Sequence, residues 1–174
     1  MPDGSAKARA LQQAIIAALP KLRRFCHAMA ASPADGDDLM QATVEKALVH
    51  GDQFREGSRA DSWMYRIAQN LHIDKVRSTR RRGTVVPVED AFDLVGDDGR
   101  ATTESRSDLA AAQRALETVP DDQRAAFVLV VVEGLSYKEA AETLGVPIGT
   151  IMSRIARARG RIEQALKGDA GTIQ

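Results

Sequence analysis

The chain has 174 residues, 44% hydrophobic, 4% aromatic and with one cysteine, a length that suits one domain or two small ones. Its 24 basic and 24 acidic residues leave a formal net charge of zero, which excludes a uniformly basic nucleic-acid coat. Cys26 alone cannot form an internal disulfide or a multi-cysteine zinc site.

No apolar run approaches the ~20 residues needed to span a bilayer, and MPDGSAKARA lacks the apolar stretch of a secretory signal. A cytoplasmic chain without membrane insertion is therefore expected. Few aromatics beside abundant Ala, Leu, Arg and Val predict an all-α fold.

Leu11, Ile15, Leu19, Leu22, Cys26 and Met29 recur every three or four residues, predicting an amphipathic helix or helix pair with Pro20 as a kink or restart. ASPADGDD (31–38) reads as a turn. Met40, Val44, Ala47 and Leu48 mark a second helix ending near Gly51. The loop GDQFREGSRAD leads into a third helix within SWMYRIAQNLHIDKVRSTRRR (62–82). There Met64, Ile67, Ala68 and Leu71 form a core stripe, while Arg66, Asn70 and Arg77 fall almost opposite with Trp63 beside them. This second face is basic and aromatic, and it ends in Arg80, Arg81 and Arg82. Residues 8–82 are read as one small helical bundle.

Residues 83–106 lose all period and gain Pro, Gly and acids; they read as a flexible acidic linker. Fully extended, these residues reach about 80 Å, far enough for two separate sites. A second helical domain is expected over 107–168. Leu109, Ala112, Leu116 and Val119 restart the helical period, and Pro120 punctuates it. The β-prone run Phe127–Val132 is read as helix because no partner strand lies nearby.

The neutral total hides local patches. Residues 71–82 carry five basic residues against one acid, 84–104 one against six, and 147–167 five against one. Phosphate binding draws on such patches, not on the total. A neutral chain with small patches is expected to bind free DNA poorly and to act on DNA within something larger.

SYKEAAETLGVPIGTIMSRIARARGRI (136–162) is the clearest pattern. Ser136 with Glu139 makes a capping box, Ala140 and Ala141 admit a close helix crossing, Gly145 suits a left-handed turn, and Pro147 suits the next helix start. Ile151, Ile155, Ala158 and Ile162 form the core stripe. Ser153, Arg154, Arg157 and Arg161 lie off it. This is a helix-turn-helix presenting hydroxyl and guanidinium groups; the plainer alternative is a helical hairpin with an Arg-rich wet face.

DGDDLMQATVEKAL, FREGSRADSWMYRIAQNLHIDKVRSTRRR and LETVPDDQRAAFVLVVVEGLSYKEAAETLGVPIGTIMSRIARAR, in that order, resemble the bacterial RNA polymerase sigma factors of the extracytoplasmic-function group. The resemblance implies a sigma-two domain that binds core polymerase and the minus-ten element, and a sigma-four domain that binds the minus-thirty-five element. It implies that Asn70 receives a base flipped from the duplex, where an amide can read a base edge. Phe54 and Trp63 are the nearest candidates to line that site, and Arg66, Arg77, Arg80, Arg81 and Arg82 to hold phosphates. It further implies minus-thirty-five contacts by Thr150, Ser153, Arg154, Arg157 and Arg161. Asp37, Asp38, Gln41 and Glu45 match the family's docking surface for the polymerase clamp. Free members are usually restrained by an anti-sigma protein, and such a partner is expected. The alternatives are a core role for Trp63 and a merely solvated basic run for the arginines.

Two positions depart from the family pattern. Ala60 and Asp61 stand where aromatics usually precede the melting helix, and Met152 replaces a frequently basic contact. Cys26, His27, His50 and His72 are scattered; Cys26 reads as a buried small hydrophobe and His72 as a solvated side chain. No nucleophile–base pair or phosphate-cradling glycine loop stands out, so neither an enzyme nor a cofactor or metal is expected. The competing class is a self-sufficient helix-turn-helix regulator, which would dimerise and bind duplex operator DNA alone. The sequence does not fix how the two domains sit when free.

Overall fold

A computed structural model describes residues 4–55, 57–83 and 103–170. The described residues form α1 (Gly4–Met29), α2 (Pro33–Val49), a 3-10 turn (Gly51–Gln53), α3 (Ala60–Arg81), α4 (Thr103–Glu117), α5 (Asp121–Phe127), α6 (Tyr137–Leu144) and α7 (Ile148–Ala170). No strand occurs among them, in agreement with the all-α reading.

The first three helices bundle around Leu22, Phe25, Cys26, Met29, Met64 and Ala68, all buried. The Phe25 and Tyr65 rings meet at 5.1 Å, tilted by 51°. α1 runs unbroken through Pro20. α2 starts earlier than the residue pattern suggests because Ser32 caps it: its Oγ accepts from Asp35 N at 3.1 Å, and Pro33 stands at the first turn. The stretch read as a turn is therefore largely helix. α1 and α2 approach so closely at Gly36 that an added Cβ would lie 2.8 Å from the His27 ring. Leu48 does not join the core; it is exposed beside Val49 at the end of α2. His72, expected in solvent, is buried because α5 covers it, with Asp121 at 3.3 Å.

In the second half, Val119, Ala125, Ala126, Leu129, Ala140, Ile151, Ile155 and Ala158 form the core. The valine run after α5 is helical as expected, but Val128–Val132 takes a wider π-type turn, with Glu133 N donating to Val128 O at 2.9 Å. The capping box of Ser136 and Glu139 opens α6, and Gly145 closes it at φ 66°, a left-handed angle that a Cβ disfavours. α4 begins at Thr103, inside the stretch read as linker; Thr-Glu-Ser-Arg contains no Gly or Pro to break a helix. The rest of that linker, 84–102, lies outside the described residues.

The two halves pack on each other and share one hydrophobic cluster. Their polar seam centres on Glu133, whose side chain is wholly buried. It accepts two bonds from Arg24, at 3.1 and 2.9 Å, and one from the Tyr65 hydroxyl at 3.1 Å. The Glu133 hydrogen bond holds the Arg24 pKa above its usual value, and burial with the Glu133 charge pushes the Tyr65 phenol up. The π-type turn is what brings Glu133 to this position. Arg124, also buried, donates to Val119 O, Glu117 O and, across the seam, Met29 O at 3.3 Å.

Asp61, an unexpected acid at the start of α3, is neutralised internally. Arg59 grips it at 3.1 and 2.8 Å, Lys21 at 3.3 Å, and Ser62 N donates at 2.8 Å. Burial raises its pKa, but the bonds from Arg59, Ser62 and Lys21 outweigh this and hold it at about 2.

Two outcomes follow. Glu133→Ala should destabilise the closed packing by about 1.5–3 kcal/mol, read as a larger radius of gyration in X-ray scattering with helicity retained; an unchanged radius and melting temperature would contradict the clasp. Asp61→Asn tests the depressed carboxyl. Because the folded pKa lies below the unfolded value, the ion pair stabilises above about pH 4 and loses that effect as pH falls toward 2. The variant should be less stable than the parent by about 1 kcal/mol near neutrality, solvent screening included, and the gap should close in acid denaturation below pH 4.

Candidate nucleic-acid and polymerase interfaces

α3 carries the melting candidates because its two sides do different work. Met64, Tyr65, Ala68, Gln69 and His72 are buried, a wider band than the single stripe expected, since the second half covers part of the helix. Asn70 and Arg77 remain exposed with Arg80, Arg81 and Arg82. Arg81 and Arg82 lie back along the helix: Arg81 Nε donates to Arg77 O, and Arg82 to Ser78 O and Oγ. These bonds hold both guanidinium groups along the last turn of the helix.

Phe54 and Trp63 are brought together, ring centroids 5.3 Å apart at 45°. Both also pack against the core at its edge, so the core and lining roles of Trp63 coexist. They wall a cavity of about 620 Å³ together with Arg59 and Arg66 from the first half and Glu139 and Thr143 from α6. Asn70 is not among its walls. Arg66, expected to hold phosphate, donates instead to the carbonyls of Glu142 and Thr143 at the end of α6. Arg59 pairs with Glu139 at 2.6 Å. In this arrangement α6 roofs the aromatic site.

On α2, Asp38, Gln41 and Glu45 are exposed along one stripe, with Gln41 donating to Glu45 at 3.2 Å. Asp37 differs: it meets His27 Nε2 at 2.7 Å and Arg23 at 3.9 Å, so it also ties α1 to α2. Leu48 and Val49 continue the stripe as exposed apolar side chains. Leu48 helps mark the helix by its spacing, and its position seven residues from Gln41 signals the outer face.

On α7, Ser153, Arg157 and Arg161 are exposed and Thr150 is half-buried. Arg154 is drawn back to Asp122, with Nε 3.4 Å from the carboxylate. Ile148 and Met152 are exposed on the same helix. Among the described residues no cluster of His, Cys, Asp and Glu could hold a metal ion, and no helix is long and apolar enough to cross a membrane.

Both helical halves match known proteins. Residues 15–82 match the family model of Sigma-70 region 2, and residues 109–162 match Sigma-70 region 4. The chain is 35% identical over 159 residues to the ECF RNA polymerase sigma factor EcfG of Rhodopseudomonas palustris, covering 91% of this chain and 86% of that one. It is 35% identical over 146 residues to the ECF RNA polymerase sigma factor SigM of Mycobacterium tuberculosis, covering 84% and 71%. The sigma factor RpoE of Bartonella quintana, solved in complex with the anti-sigma factor NepR, superimposes with a TM-score of 0.79 at 31% identity, covering 91% of this chain and 98% of that one. These likenesses favour the initiation-factor reading over a self-sufficient regulator. The chain belongs to the extracytoplasmic-function group of RNA polymerase sigma factors.

Proposed function

We propose that this chain lends promoter specificity to core RNA polymerase in the cytoplasm, as a dissociable subunit that performs no chemistry itself. The observation that carries this reading is the open side of α3: Asn70, Arg77 and the Arg80–Arg82 run are exposed, and Trp63 of the same helix packs on Phe54. In this reading residues 8–82 bind polymerase and the minus-ten element, and residues 107–168 bind the minus-thirty-five element. Asn70 receives an extruded base. Extrusion costs a few kcal/mol, which stacking near Phe54 and Trp63 and amide hydrogen bonds return. Arg77, Arg80, Arg81 and Arg82 hold phosphates and carry little sequence information. The Asp38, Gln41 and Glu45 stripe, extended by Leu48 and Val49, docks the polymerase clamp.

The closed packing gives this reading a regulatory form. Arg59 and Arg66 are committed to α6, so the free chain keeps the aromatic site covered. Polymerase binding separates the halves and releases those cations to DNA. An anti-sigma protein is a fitting restraint, as for the relative solved with NepR.

Asn70→Ala tests the central assignment. With core polymerase and a matched promoter, the variant should form open complexes about 10-fold less well, equivalent to ~1.4 kcal/mol, while helicity and polymerase affinity stay unchanged; permanganate footprinting of the melted strand provides the readout. Equal open-complex formation would remove the base-capture role. Tight binding of duplex operator DNA by the chain alone would instead support the self-sufficient regulator.

A further inference from the structure

The recognition helix α7 carries a row of apolar side chains that its fold does not use. Ile151, Ile155 and Ala158 already complete the buried stripe. Ile148, Met152 and Ala156 follow one another at four-residue steps on a different, exposed line of the helix, with Ile148 49% and Met152 54% exposed. Apolar side chains at i, i+4 and i+8 normally mark a packed face.

The surrounding residues say what this row faces. Gly149 and Gly160 lie near the same side, with nothing within 4 Å of an added Cβ, so the helix backbone can approach a surface closely. Cations accompany the row: Arg157 and Arg161 are exposed away from it, Arg159 is exposed at its C-terminal end, seven residues on from Met152, and Arg154 is held back by Asp122. Ser153 spends its hydroxyl proton on Thr150 O at 3.0 Å, which leaves oxygen lone pairs turned outward as acceptors. A centre of methyl-bearing groups and one acceptor, accompanied by guanidinium groups, complements a major-groove edge bordered by phosphates. Of the four bases only thymine presents a methyl group there, and its adenine partner presents the N6 amine that an acceptor can take.

We infer that Met152, supported by Ala156, is a specificity-determining residue of this sigma factor that packs on thymine 5-methyl groups in the minus-thirty-five element, with Ser153 accepting from an adenine amine. The inference rests on the assignment of α7 to that element. The guanidinium groups then act as clamps on the phosphate rails, and sequence is read mainly through methyl contact.

The test uses holoenzyme assembled from core polymerase and the full chain. A promoter duplex is first selected from a pool randomised across the upstream element, and each thymine in that element, on either strand, is then replaced by deoxyuridine, which deletes only the methyl. One or two replacements should weaken binding about 4-fold each, the scale of one buried methyl group. In Met152→Ala, which alters an exposed side chain, the same replacements should have no further effect. A uniform lack of response to deoxyuridine, or an equal response in Met152→Ala, overturns the inference while selection of a defined upstream sequence leaves the assignment of α7 standing. Selection of no upstream sequence at all overturns both.

Discussion

A wholly buried carboxylate sets the character of this molecule. Glu133 leaves water only because Arg24 and Tyr65, from the other half of the chain, take all the solvent's place. Burying a charge is costly unless its partners are well placed, so Glu133 ties closure of the two halves to the formation of three hydrogen bonds. When the halves part, each of these groups regains water. These bonds are one part of closure; the shared hydrophobic cluster is the other, and the polar part can be exchanged for water on opening. A purely apolar seam of the same size would resist opening far more.

The same chemistry links closure to nucleic acid. Arg59 and Arg66 hold α6 through Glu139 and two helix-end carbonyls. α6 thus offers these guanidinium groups what a phosphate backbone offers, an array of oxygen acceptors. A chain of zero net charge thus pairs part of its cationic surface with its own acceptors.

Local patterns made much of this legible. The capping box at Ser136, the left-handed Gly145 and the Ile151–Ile155–Ala158 stripe are fixed by neighbours in sequence, and each stands in the structure as the residues suggest. Asn70 and Arg77 on the outer side of α3 follow equally from helical spacing. What escaped depended on contacts between distant segments. His72 is buried by α5, nearly fifty residues on, and nothing in its own helix announces that. Asp61 looked misplaced until Lys21 and Arg59 closed around it. Glu133 sat unremarked after a valine run, because its importance comes from a π-type turn that periodicity does not reveal. Leu48 marked the second helix by its spacing, but only the packing shows that its face of α2 is open.

The central claim is that the free chain is closed over its own melting site and that polymerase opens it. Its most direct test is the distance between dyes on the exposed Lys46 of α2 and Glu163 of α7, followed by energy transfer as core polymerase is added. The account predicts one compact population in the free chain, replaced on polymerase by a population with a markedly longer separation. An identical distance in both states, or a free chain already extended, would contradict it.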